Sequence, residues 1–312
     1  MDSPVFPHRR TVALWALAMA PAFGARAFDL SAKPLTDAPT VHSTQVLDSA
    51  GRLTVNARVN GNGPYPFMID TGASASVIAN DLVAALNLKA DGTTKLHGIA
   101  GVQTADTVKI DEISIGRRTR RDLVMTLLPA GQLEASGILG LDWLGSQGLL
   151  LNFIGDEMSV GAGQPYSDGR TISVPVGARR SGLSLLRGDV PGGHVLAFVD
   201  TGSTTTVGNL ALMNLALANR GIVGDWSDTI LRSVTGQILP GRFAQLRSLE
   251  LGAVRMRNVP VVFGQVHTFA YWGIDDRPAM LIGADVLRAF ASVSLDFSRG
   301  QVHFRVRDTR GT

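Results

Sequence analysis

The 312 residues include no cysteine. That excludes disulfides, a thiol nucleophile, cysteine-ligated zinc and a lipidated cysteine anchor. Aromatic residues make up only 6% and charged residues 18%, while 45% are hydrophobic. Such a balance can bury one large core or two modest ones and argues against wholesale disorder. A strongly basic body is also missing. The net charge is +3, and Arg9, Arg10 and Arg26 against Asp2 leave +2 of it in the first 27 residues. The nearly neutral remainder speaks against a nucleic-acid partner. Beyond residue 27 no apolar run approaches the roughly 20 residues a spanning helix needs. There is no Gly-x-Ser-x-Gly elbow, His-Glu-x-x-His zinc helix, phosphate-binding Gly-Lys-Ser/Thr loop or dinucleotide fingerprint. Neither a metal nor a cofactor is expected.

The first 27 residues read as an export signal. His8-Arg9-Arg10 is a basic start, Thr11 to Phe23 is an apolar run interrupted only by Pro21, and Ala25-Arg26-Ala27 fits a small-x-small cleavage site. The Arg9-Arg10 pair also fits a twin-arginine signal. The expected location is therefore outside the cytoplasm, periplasmic or secreted in a bacterium, with no stable membrane span once the signal is cleaved. An uncleaved N-terminal anchor is the alternative.

The triplet Asp-Thr-Gly occurs twice, at Asp70-Thr71-Gly72 and Asp200-Thr201-Gly202. Each copy ends an apolar strand-like run, Pro66-Phe67-Met68-Ile69 or Leu196-Ala197-Phe198-Val199. The surroundings repeat as well. Leu53–Val59 alternates like a strand and is followed by the turn signal Asn60-Gly61-Asn62-Gly63-Pro64. In the second copy, residues 184–188 lead to the turn Pro191-Gly192-Gly193. A short helix after each triplet is expected, capped by Asn80 over 81–88 and by Asn209 over 210–217. Ile138-Leu139-Gly140 and Leu281-Ile282-Gly283 then precede Asp142 and Asp285, read as helix-starting residues. The same order in both copies implies an all-β chain of two homologous barrel lobes with a cleft between them and few helices. The lobes are placed at 28–163 and 164–312, with the join in the turn-rich stretch 161–169.

These four motifs, in this order, resemble a pepsin/retropepsin-type aspartic protease in a bacterial single-chain form. The resemblance covers nearly all of residues 45–307. It implies that Asp70 and Asp200 face each other, hold one water between them and cleave extended polypeptides with no acyl-enzyme. It further implies apolar side chains flanking the cleaved bond. Two close carboxylates cannot both ionise cheaply, so they share a proton. Thr71 and Thr201 suit hydrogen bonds across the lobe interface. Gly72 and Gly202 permit a close backbone approach with N–H groups turned to the carboxylates. The resemblance also implies that Gly140 and Gly283 lie where the chain passes so near the active loop that a Cβ would clash. Ser203 carries a hydroxyl that can donate to Asp200 and favour its ionised form; Ala73 cannot do so for Asp70. On that basis Asp200 is the expected ionised partner, and Ala73→Ser should lower the acid limb of activity.

The flap over the substrate is assigned to Gly98, Ile99, Ala100 and Gly101 at one hairpin tip, with Thr235 and Gly236 at its counterpart. Neither tip has the tyrosine of the pepsin flap, so the arrangement looks more like a fused retropepsin dimer. His97 is read as a solvated loop residue. Arg117–Arg121 is read as a solvated hairpin edge. Trp143 is read as packing behind the site, and Trp226 and residues 269–272 as cleft or packing residues. The enzyme reading is a monomeric aspartic endopeptidase acting on polypeptide. The rival is an inactive peptide- or envelope-binding module on the same fold.

Overall fold

The computed structural model describes residues 11–13, 18–20, 41–44, 46–47, 53–161, 169–180 and 183–307. Most of the expected export signal and of the join lies outside them. Almost every element is a strand, and the six helices among the described residues are short.

Leu53–Val59 shows why the chain chooses strands. Val55, Ala57 and Val59 are buried while Asn56 and Arg58 are exposed, the period of two that a half-buried strand requires. In the next strand Phe67, Met68 and Ile69 are all buried, which fits a central strand covered on both faces. The ring in the first lobe runs Leu53–Val59, Asn62–Ile69, Gly137–Leu139, Val77–Ala79, Arg118–Leu128 and Gly101–Ile115, then returns to Leu53–Val59. The second lobe repeats it as Leu183–Val190, Gly193–Val199, Ala279–Ile282, Val207–Gly208, Val254–Phe263 and Ile238–Leu251. That ring closes where Asp189 stands opposite Glu250. Closure removes the unpaired edges that an open sheet would expose.

The lobes are joined by strands drawn from both sides of the expected join. Val41–Thr44, Glu157–Gly161, Gly148–Asn152, Phe290–Asp296, Gln301–Val306 and Thr171–Arg180 pair in that order, all antiparallel. Leu149 lies opposite Leu295, and Leu151 opposite Val293. All of Phe290–Asp296 is buried, so this seam is core rather than linker. The hairpins that close the two copies, Gly148–Asn152 with Glu157–Gly161 and Phe290–Asp296 with Gln301–Val306, thus make one sheet.

Each triplet sits at the end of a parallel pair of central strands. Ile69 pairs with Leu139 and Val199 with Ile282. The Asp70 N–H donates to the Leu139 carbonyl and the Asp200 N–H to the Ile282 carbonyl, both at 3.0 Å. Each loop is therefore held by its own barrel before it meets the other. Asn209 caps its helix as expected, accepting from the Leu212 N–H at 2.9 Å. Asn80 does not. It is the first residue of the helix Asn80–Ala85, and its Oδ1 accepts instead from the Ala130 N–H. Two N-terminal pieces add edge strands near the hairpin tips. Ala18–Ala20 runs antiparallel to residues 95–97, and Thr11–Ala13 parallel to residues 230–232.

Candidate active site

The two triplet loops meet between the lobes. The Thr71 N–H donates to Thr201 Oγ1 at 3.1 Å, and the Thr201 N–H donates to Thr71 Oγ1 at 3.2 Å. Each hydroxyl then donates onward into the opposite lobe, Thr71 Oγ1 to the Val199 carbonyl at 2.7 Å and Thr201 Oγ1 to the Ile69 carbonyl at 2.8 Å. Four reciprocal bonds fix one loop against the other, and buried bonds of this kind are costly to break because their partners lose water as well.

Asp70 and Asp200 are both 0% exposed. Asp70 Oδ1 accepts the Gly72 N–H at 2.7 Å; Asp200 Oδ1 accepts the N–H groups of Gly202 at 3.0 Å and Ser203 at 3.1 Å. Among the described residues the two Oδ2 atoms receive no donor, and the two buried carboxyls lie near enough for each to perturb the other. Two buried carboxyls so near each other cannot both ionise cheaply, so the pair is built for a single shared proton. A Cβ on Gly72 would sit 2.7–2.8 Å from the Asp200 carboxyl, and one on Gly202 would collide with the Asp70 carboxyl. Only glycine lets each loop reach the opposite acid.

Burial, then the neighbouring charge of Asp200, holds Asp70 well above the ordinary carboxylate range. Burial pushes Asp200 up to about 6, opposed by the neighbouring Asp70 carboxyl and by the Gly202 and Ser203 amides. Asp70 is thus the partner that keeps the proton. The direction matches expectation, but the expected cause is corrected. The Ser203 hydroxyl donates to the Thr205 carbonyl at 2.7 Å, and it is the Ser203 backbone N–H that serves Asp200.

A matched brace stands behind each loop. The Ser76 N–H and hydroxyl donate to the Asp142 carboxylate at 2.9 and 2.6 Å; those of Thr206 donate to Asp285 at 3.0 and 2.7 Å. The same two hydroxyls accept from the N–H groups of Gly140 and Gly283, both at 3.0 Å. Asp142 and Asp285 also take the N–H of Trp143 and Val286, as helix-starting residues do. A Cβ on Gly140 would meet the Ala73 carbonyl at 2.7 Å, and one on Gly283 the Thr205 backbone at 2.5 Å. Ser76 and Thr206 were not among the expected site residues. Their signal is a hydroxyl six residues after the aspartate in both copies.

The expected flap residues lie at two hairpin tips that meet each other. Gly98 pairs with Gly101, leaving Ile99 and Ala100 as a two-residue turn. Residues 233–237 connect Arg232 to Ile238 in the second hairpin. The Ala100 N–H donates to Gln237 Oε1 at 3.1 Å, and a Cβ on Gly98 would strike the same Gln237 amide and, at 3.2 Å, the Thr235 hydroxyl. Thr235 is buried and Gly236 exposed. Ile99 packs with Phe198, Phe269 and Trp272 in the second lobe. Val234 packs with Met68, Leu96 and Leu133 in the first. Residues 269 and 272 are therefore packing residues, and the flap itself is part of what they pack. Trp143 is fully buried behind the site with the Arg118 guanidinium over its ring. His97 is not a solvated loop residue: it is half-buried and bonded to His267.

A protein-family model described as aspartyl protease matches residues 55–143 and 186–286. The chain belongs to the aspartyl protease family. Each matched stretch contains one Asp-Thr-Gly triplet and the glycine that passes behind it, so both lobes of this aspartyl protease carry the family pattern. No curated protein matches the chain.

Proposed function

We propose that this aspartyl protease is an endopeptidase that hydrolyses extended polypeptides with one water activated between Asp70 and Asp200. The observation that carries the reading is a pair of neighbouring, fully buried carboxyls, each with its Oδ1 held by backbone amides and its Oδ2 left for the shared proton and the water. Asp200, the more acidic partner, takes a proton from the water as its oxygen attacks the scissile carbonyl carbon. Asp70 gives its proton to the carbonyl oxygen, so the tetrahedral intermediate forms as a neutral diol. On collapse the diol returns a proton to Asp70, the proton held by Asp200 passes to the leaving nitrogen, the C–N bond breaks, and the carboxyls regain their starting charges. The clasped flap tips must part to admit an extended chain and can then donate backbone hydrogen bonds to it, strand to strand.

The enzyme is further proposed to work as a monomer, since one chain supplies both carboxylates, and to act outside the cytoplasm, on the strength of the basic start and apolar run of residues 8–27. The test is an unstructured polypeptide incubated with purified protein from about pH 3 to 7, with Asp70→Asn as control. Cleavage by the wild type that falls by at least about 10³-fold in the variant supports the mechanism. Cleavage that survives the substitution, or none by the wild type at any pH on a panel of exported proteins, overturns it.

A further inference from the structure

The first flap is held closed by something other than packing. His97 lies two residues before the flap turn, opposite Val102, and His267 opens the helix His267–Tyr271 of the opposite lobe. His97 Nδ1 lies 3.1 Å from His267 Nε2. The ring centroids are 5.4 Å apart and the planes differ by 7°. The centroid separation equals the nitrogen separation plus one ring radius at each end, which holds only when the N···N line runs through both ring centres. The contact is therefore an in-line hydrogen bond, not a face-to-face stack. The Tyr271 ring covers His97 at 4.1 Å. From the same helix, the His267 N–H donates to the Ile99 carbonyl at 2.7 Å, so the pair and the flap tip are one hydrogen-bonded unit.

An in-line imidazole pair can hold one proton between its nitrogens but not two. With both rings protonated, two N–H groups and two positive charges face each other, and the bond is lost. Among the described residues no carboxylate acts on His97 to offset this. The charges acting on His97 are those of His267 and of Lys95 on its own strand, both positive when protonated. The adjoining strand brings Val102 and Gln103, the edge strand Ala18–Ala20 brings no charge, and the opposing turn 233–237 has no titratable residue. Tyr271 remains neutral, and burial pushes its hydroxyl still higher.

We propose that the His97–His267 pair is a proton-operated catch that holds the flap shut at neutral pH and releases it in acid. The flap's role over the cleft comes from the protease reading above; the catch itself stands on this geometry. The linkage has the required sign. Burial first, then His267 and Lys95, hold His97 below 6.5 in the closed form. The closed form thus binds fewer protons than the open one, and its advantage, complete above that value, fades as pH falls.

The test is amide hydrogen exchange in the full-length protein at residues 96–101 and 233–237, corrected for intrinsic rates, between about pH 8 and pH 5. Protection in the wild type should fall at least about tenfold across that range, and His97→Gln and His267→Gln should each abolish the pH dependence. Wild-type protection that does not change with pH overturns the catch. So does an acid loss retained in full by both variants, which would assign it to the aspartate pair. Exchange needs no turnover, so a protein that cleaves nothing can still pass this test, and an active protease can fail it.

Discussion

Ile99 and Val234 are each buried in the lobe opposite their own. Ile99 leaves the first barrel to pack on Phe198 and Trp272, and Val234 leaves the second to pack on Leu96 and Ile138. The two tips exchange apolar side chains, so, if they serve as flaps in the proposed protease, they should open together. Ile99→Ala removes apolar contact worth roughly 2–4 kcal/mol to the closed form. The expected result is at least about tenfold faster amide exchange at the other tip, residues 233–237. Val102→Ala, at a position that is 48% exposed two residues past the turn, should leave that exchange unchanged. Faster exchange confined to residues 96–101 would show that the tips move independently.

The threonine pair makes a second prediction. Thr71 and Thr201 each donate and accept across the lobe interface. Thr71→Ala removes one hydroxyl and strands the Thr201 N–H, a loss of about 1–3 kcal/mol by the usual cost of unpaired buried groups. Thr71→Ser keeps the hydroxyl and should restore most of the stability. Urea unfolding of the three proteins checks this. Because the loops carry the carboxyls, kcat should fall with stability in the alanine variant and recover in the serine variant.

What was legible in the sequence was whatever repeats. The triplets, the strand runs before them and the glycines at 140 and 283 recur at matching offsets, and the structure places each copy in the same local setting. The close approach at these two glycines was implied by the family resemblance, and the structure shows its physical reason, that a Cβ there has no room. Contacts lacking local pattern were not legible. His97 and His267 are 170 residues apart, and neither neighbourhood announces the other. The pairing of Gly148–Asn152 with Phe290–Asp296 across the two copies was not legible either, because strand patterning says which face is buried, not which strand lies alongside. Ser203 misled because a side-chain donor is visible in a sequence and a backbone N–H is not. Its hydroxyl turns to the Thr205 carbonyl, so Ala73→Ser should now leave the acid limb of activity where it is, with the new hydroxyl free to turn the same way.

Activity should rise with pH along that acid limb. The working form carries one proton on the pair, and the first proton to leave is that of Asp200. Burial raises Asp200 from 3.8 to about 6 with the flaps closed, and opening to solvent relieves part of that shift. The limb of kcat/KM should therefore lie between those two values, with loss of activity on its acid side. Asp70 retains its proton above this limb, so activity should persist toward neutral pH. A profile that peaks well below 3.8 would mean that the carboxyls are far better hydrated in the working enzyme than in the closed one.

The same shift bears on stability, where its sign is opposite to that of an exposed ion pair. Asp200 holds its proton more tightly folded than unfolded, so its contribution is fully present below 3.8 and is lost as pH rises through about 6. At neutral pH the fold therefore carries a buried charge it would rather not have. Asn in place of Asp200 keeps the shape and cannot ionise. Asp200→Asn should be more stable than the wild type at pH 7, by about 2 kcal/mol once the altered hydrogen bonding is allowed for, and lose that advantage in acid. Urea denaturation at the two pH values measures both numbers. A stability difference that is the same at both would mean that Asp200 ionises in the folded protein as easily as in the unfolded chain, and that the desolvated, proton-sharing pair does not exist in solution.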